Sequence, residues 1–313
     1  MGRPVLPFAV PLLLLAVAAP AARSDEPAKP PEAKPAEAKI ATDAEAKEAL
    51  ESFARQNATE DLDFRREAVR RLAKTVHATV ADRLLGLALK DAEVLVRAEA
   101  FKGLLPQRPF AKAVGPKVAR WLGDAAEENR KAKARGDYGV RVDPKTGEVD
   151  TESEEGKAML RAKRERGRML AEAVKLVRDW EYRDRESVEV LEEFLSDGND
   201  DLVALVLDCF GRWKEWSVLP DLLDLFDIYP KEDGFETGSV SVDTGASGST
   251  DQQAAKRKWM AKFGDPDKRR PRPKVVQALK KALLDITGQE FKTPKELREY
   301  LKRPEVKRKV RAG

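Results

Sequence analysis

The sequence predicts an all-α protein built as an α-solenoid of antiparallel helix pairs, with two loop or β-hairpin insertions. Three observations carry that expectation. Apolar residues recur at spacings of three and four through most of the chain, which is the period of a helix with one buried face. A helix-pair pattern returns along the sequence with its key residues in register. Charged residues make up 36% of the chain and aromatics 6%, a balance that suits an elongated helical body with much surface and modest side chains inside.

Residues 1–22 read as a secretory signal peptide. Arg3 supplies the positive start, Val5 to Val17 the short apolar run, and Ala19-Pro20-Ala21 a small-residue cleavage site. The run is too short and too interrupted by proline to span a bilayer stably. Export is therefore expected, to the periplasm or the exterior, with no membrane span after cleavage. Residues 23–40 follow as a linker. The stretch SDEPAKPPEAKPAEAK mixes proline, alanine and alternating charge, so it cannot bury a core and reads as a semi-extended spacer.

Residues 41–303 carry the helical repeats. In LLGLALKDAEVLVRAEAFKGL, Leu84, Leu85, Ala88 and Leu89 share one helix face. Asp91 breaks the pattern, and Val96, Ala100, Phe101 and Leu104 define a second face. The spacing predicts two short antiparallel helices and a tight turn. The pattern returns 106 residues later without a gap: Leu85, Leu89, Asp91, Val96, Ala100 and Leu104 correspond to Leu191, Leu195, Asp197, Leu202, Val206 and Phe210. A further copy lies 32 residues before the first, with Phe64, Arg65, Ala68, Val69 and Leu72 in the places of Val96, Arg97, Ala100, Phe101 and Leu104.

This combination of a turn aspartate with Val-Arg-x-x-Ala-x-x-x-Leu resembles the HEAT repeat, carried by Leu85, Leu89, Asp91, Val96, Arg97, Ala100 and Leu104. The resemblance implies that the aspartate braces the turn and that the arginine reaches the aspartate of a neighbouring repeat. The later unit keeps Asp197 but has Val203 in the arginine position. The segment 282–303 is similar to the closing segment of exported HEAT-like proteins of planctomycete-type bacteria, matching at Ile286, Thr287, Gly288 and Phe291, with Tyr300 and Leu301 where that pattern has tryptophans. Physically, Gly288 ends one helix, Thr293 and Pro294 start the next, and Leu297, Tyr300 and Leu301 cover an open apolar face.

Two further stripes fill the middle: Phe110, Ala113, Val114, Val118, Trp121 and Leu122, then Met169, Leu170, Ala173, Val174, Val177 and Trp180. Both read as core, as do Trp213, Trp216 and Phe226. The first insertion, about 136–156, contains Val140 and Val142 alternating with charge and the turn Asp143-Pro144-Lys145-Thr146-Gly147, which suggests a β-hairpin. Asp143, Glu148 and Asp150 lack calcium-loop spacing. The second insertion, about 230–253, is rich in glycine and serine and holds Asp243-Thr244-Gly245. That triplet suggests an aspartic peptidase, whose chemistry needs two such loops facing each other on β-barrel halves. The flanks LPDLLDLFDIYP and QQAAKRKWMAKFG are helical in pattern, so the peptidase reading is rejected.

The expectation is a non-catalytic protein–protein interaction scaffold acting outside the cytoplasm. No catalytic, cofactor-binding or metal-ligating residue is assigned. Cys209 is the only cysteine and reads as buried; His77 is the only histidine. A single residue of each type supports neither a His-based zinc site nor a triad. The partner is expected to be a protein or peptide. The alternative is a polyanion held by the basic runs Arg269-Arg270, Lys302-Arg303 and Lys307 to Lys309. Export argues against nucleic acid, and residues 304–313 read as a basic tail. A second alternative, an enzyme of unrecognised class, has no motif behind it.

Overall fold

The computed structural model describes residues 39–134, 152–228 and 272–312. Its elements are α1 (Asp43–Asn57), α2 (Leu62–Leu72), α3 (Ala78–Lys90), α4 (Val94–Leu104), a short 3-10 helix (Leu105–Phe110), α5 (Ala111–Ala134), α6 (Glu154–Asp179), α7 (Arg185–Phe194), α8 (Asp200–Trp213) and α9 (Leu219–Ile228). After the second gap come α10 (Pro273–Thr287), α11 (Pro294–Leu301) and α12 (Pro304–Ala312). Among the described residues every regular element is helical, as the all-α class requires. Both insertions fall largely outside the described residues; the first gives way to α6 at Glu154.

The helix starts follow from side-chain chemistry. Thr42 and Glu45 form a reciprocal capping box on α1. Asp61, Ser153, Asp184, Asn199 and Thr293 each accept a backbone N–H at the first turn of the helix they precede. Gly288 ends α10 at φ 72°, a left-handed conformation that glycine enters without a Cβ clash.

Three turns share one device. The side-chain oxygens of Thr59, Asp91 and Asp197 accept the backbone N–H two residues on, at 3.1, 2.9 and 2.8 Å. These are the positions that the 32- and 106-residue shifts place in register. A short polar side chain there closes the backbone turn locally and sets the next helix antiparallel to the last.

Packing follows chain order. α1 lies on α2, α3 on α4, α5 on α6, α7 on α8 and α9 on α10. Each even-numbered helix packs on the next through α10, and α1, α3, α5 and α7 do the same. α4 has neighbours in α2, α3 and α6, and it is buried almost all round, from Val96 to Leu104. The core is one continuous apolar cluster from Ala46 to Val306. Gly115 permits a close approach: a Cβ there would stand 2.7 Å from the Tyr182 ring.

Connectors on the opposite edge are tied in series. Gln107, fully buried, donates to the carbonyls of Ala73 and Thr75 at 3.3 and 3.0 Å and accepts the His77 N–H at 3.1 Å. The Trp180 indole donates to the Leu105 carbonyl at 3.1 Å, and Arg183 donates to the Trp213 carbonyl at 2.9 Å. The orphan carbonyls at helix ends are thereby satisfied by side chains from a neighbouring pair.

Some expectations need correction. Phe64, aligned with the fully buried Val96, is 49% exposed. α4 has an even-numbered neighbour on both sides, whereas α2 has only α4 among the described residues, so the equivalent position stays open. Ala113 is exposed, and Ala119 joins Val114, Val118 and Leu122 in the core instead. Residues 304–312 are not a loose tail but a helix whose Val306 is 2% exposed and whose Lys309 ammonium sits 4.4 Å from the Trp216 ring centre. Val306, with Val310 one turn on packed at the edge of the core, seats this basic helix.

Candidate functional site

The charged face of the even-numbered helices is the candidate site. Between α2 and α4, Glu99 accepts from Arg70 at 2.9 and 3.1 Å and has Arg66 at 3.6 Å. Glu99 is 6% exposed. Burial pushes its pKa up, but the Arg70 hydrogen bond, with Lys102, Arg70 and Arg66 nearby, outweighs burial and holds it below the ordinary glutamate value. A shallow groove of about 220 Å³ opens beside it, lined by Arg70, Lys74, Glu99 and Lys102.

The same design recurs between α6, α8 and α10. Asp208 accepts from Arg178 at 3.0 Å and Lys281 at 2.9 Å and has Arg212 at 3.2 Å. Burial raises the Asp208 pKa, and the three cations, led by Lys281, bring it below the ordinary range. Arg272 donates to Asp200 at 2.6 Å and to the Asp197 carbonyl at 2.8 Å, and Lys274 pairs with Asp201. Between α2 and the turn before α4, Arg65 bonds both oxygens of Asp91 at 2.9 and 2.7 Å. Arg97 lies over the Trp121 ring at 5.4 Å and donates to the Ala88 carbonyl at 3.1 Å. Chemically this face is an array of carboxylates paired with bridging cations. It offers exchangeable charged hydrogen bonds across about five helices.

No family model matches this chain, and no curated protein or solved structure does.

The residues singled out from the sequence fall in different places. Cys209 is fully buried in α8, and burial pushes its thiol far above the ordinary value. His77 caps α3, with Nδ1 2.9 Å from the Thr79 hydroxyl and Nε2 3.0 Å from Asp43, at the rim of a groove of about 410 Å³ between α1 and α3. Among the described residues, no three His, Cys, Asp or Glu side chains converge as a metal site would require, and no helix is long and apolar enough to cross a membrane. Trp121 packs on Phe101 at 5.0 Å between ring centres, and Trp180 is core. Asp243, Asp143, Glu148, Asp150, Arg269 and Arg270 lie outside the described residues.

Tyr182 and Asp184 brace the link between α6 and α7. The phenol donates to Asp184 at 2.9 Å, and burial, then that bond, pushes its pKa up to about 12. Asp227 on α9 stays above the ordinary range through burial, although Arg298 of α11 donates to it at 2.5 Å.

Sequence reasoning missed Gln107 and Glu99, two polar residues that are buried because partners in the preceding helices satisfy them. It also missed a basic stripe on α6 formed by Arg161, Arg164 and Arg168. The signal for the stripe is legible in hindsight: cations at i, i+3 and i+7 lie on one face.

Proposed function

We propose that this chain is a non-catalytic scaffold for protein partners, a HEAT-like α-solenoid whose recognition surface is the face of its even-numbered helices. The observation that carries the reading is the unbroken packing order α2, α4, α6, α8, α10 with its bridging ion pairs. A row of parallel helices supplies many modest polar contacts over a long span, which suits an extended protein or peptide ligand. The Asp91 and Asp197 turns and the Arg65 bridge fit what the HEAT resemblance implies. Location outside the cytoplasm rests on the leader-like residues 1–22 and the spacer 23–40.

Site-specific photo-crosslinking tests the proposal in the protein's native host. A crosslinking residue replaces Lys102, Lys175 or Arg212 on the even-numbered face, or Lys112 or Arg120 on α5 as controls. The expected result is a discrete crosslinked protein from the first set only, in the exported fraction. Adducts from neither set, or from the α5 positions alone, would refute the surface assignment. Recovery of the chain in the cytosol with residues 1–22 intact would refute the location.

A further inference from the structure

We propose that residues 161–168 of α6 form an arginine rail, without ion pairs among the described residues, that docks a short acidic segment of a protein partner. The inference rests on the scaffold reading above and names the chemistry of its ligand.

The argument begins with helix length. α6 has 26 residues and α5 has 24, whereas α4 has 11 and α8 has 14. At about 1.5 Å per residue, α6 runs some 39 Å against 16 to 21 Å for its neighbours. The level at which those neighbours begin is fixed. A Cβ on Gly167 would meet the Asn199 side chain at 3.0 Å, and Asn199 is the residue that caps α8. Arg166 reaches Glu128 of α5 at 3.2 Å, and both act electrostatically on Arg97, near the start of α4. Residues 154–165 of α6 therefore extend past the first turns of α4 and α8. On the other side Arg130 of α5 stands 3.7 Å from Glu193, one residue from the end of α7.

On that extension and the turn that follows it the charges change character. Elsewhere on the even-numbered face the arginines of α2 and α8 and Arg178 of α6 meet carboxylates: Arg65 with Asp91, Arg70 with Glu99, and Arg178 and Arg212 with Asp208. Arg161, Arg164 and Arg168 are exposed and have no ion pair among the described residues. They follow one another by three and four residues, so they share the helix face that continues into Lys175 and Arg178. Their guanidinium groups are spread over about 10 Å of axis. Within one fold, paired arginines thus give way to three aligned arginines with no ion pair among the described residues.

The ligand class follows from what surrounds the rail. Guanidinium groups favour bidentate carboxylate or phosphate partners. The arm also carries Glu127, Glu128, Glu154, Glu155 and Glu165 close by. A long uniform polyanion would run into these carboxylates, and tight nucleic-acid binding draws on about 6 to 10 phosphate contacts, more than this face offers. A short peptide segment with three or four acidic side chains can meet the arginines and leave the glutamates facing solvent.

Fluorescence anisotropy on the full chain tests this. The probe is a fluorescein-labelled helical peptide of about 20 residues with glutamate at i, i+4, i+7 and i+11, the complement of the rail spacing. Exposed ion pairs are worth about 3-fold in affinity each, so R161Q/R164Q/R168Q should weaken binding about 30-fold and R164Q alone about 3-fold. The control K307Q/R308Q/R311Q on α12 should change nothing, and affinity should fall with added salt. No peptide binding by the wild-type chain, equal binding by the triple variant, or displacement of the peptide from the rail by a lower concentration of heparin or single-stranded DNA would each overturn the inference. Crosslinks from the even-numbered face that persist when the peptide fails to bind would sink the rail and leave the scaffold reading standing; loss of both would sink both.

Discussion

Removing the Asp91 carboxylate should cost far more than removing the matching one at Asp197. Asp91 is 7% exposed at its side chain and receives three hydrogen bonds, two from Arg65 Nη2 and one from the Glu93 N–H at 2.9 Å. Asp91→Ala leaves the Arg65 guanidinium, 18% exposed, with only Asn57 at 3.3 Å. A hydrogen bond to a charged group is worth about 1.5–3 kcal/mol and a neutral turn bond about 1 kcal/mol, so the loss should be about 3 kcal/mol. The Asp197 side chain holds the Asn199 N–H at 2.8 Å and has no bridging arginine among the described residues, so Asp197→Ala should cost about 1 kcal/mol. Urea unfolding followed by far-UV circular dichroism measures both. At a slope of about 3 kcal/mol per molar urea, the midpoints should drop by roughly 1 M and 0.3 M. A cycle with Arg65→Ala should assign about 2 kcal/mol to the Arg65–Asp91 pair. Equal losses at the two aspartates would refute the claim that the arginine bridge, and not the turn alone, sets the difference.

Other outcomes follow from the same geometry. The Glu99 pKa is depressed in the folded chain, so its stabilisation is present above the unfolded value, about 4.3, and is lost as pH falls through the folded value. Glu99→Gln should therefore lower the urea midpoint at neutral pH, and the gap to wild type should close in acid; a gap that widens in acid would contradict the pairing. Cys209 should resist a thiol reagent in the native chain and react on unfolding, since burial both blocks access and suppresses the thiolate; rapid native labelling would mean that α8 opens. Val306→Asp should release α12, because burying that valine contributes about 1.5–3 kcal/mol. Trypsin should then cut at Lys302 to Lys309 sooner while the helical signal of the rest is kept. Unchanged cleavage would show that other contacts seat the helix.

The helix pairs around Asp91 and Asp197 were legible because each element carries its own period and each turn its own polar residue. Gly288, Thr293 and Pro294 marked their boundaries for the same reason, since capping is local chemistry. What the sequence could not reveal were facts about neighbours. Phe64 and Val96 look equivalent in the pattern, and only the number of flanking helices separates an open site from a closed one. Gln107 and Glu99 look like surface residues until the Ala73 carbonyl or the Arg70 guanidinium is placed beside them. Val306 and Val310 sit among lysines and arginines, where two valines one turn apart are too short a stripe to mark a core face. The α6 stripe needs two facts at once: the spacing, which is readable, and the lack of ion pairs to its arginines among the described residues, which is spatial.

The links from Gln107, Trp180 and Arg183 to the connector carbonyls have a mechanical consequence. Each link joins only adjacent pairs, so tension applied between the ends passes through them one after another, as in a chain whose strength is that of its weakest clasp. Stretching such a molecule should yield stepwise, pair by pair, and not in one event. A ligand lying across several helices would share that tension and raise the force of the first step.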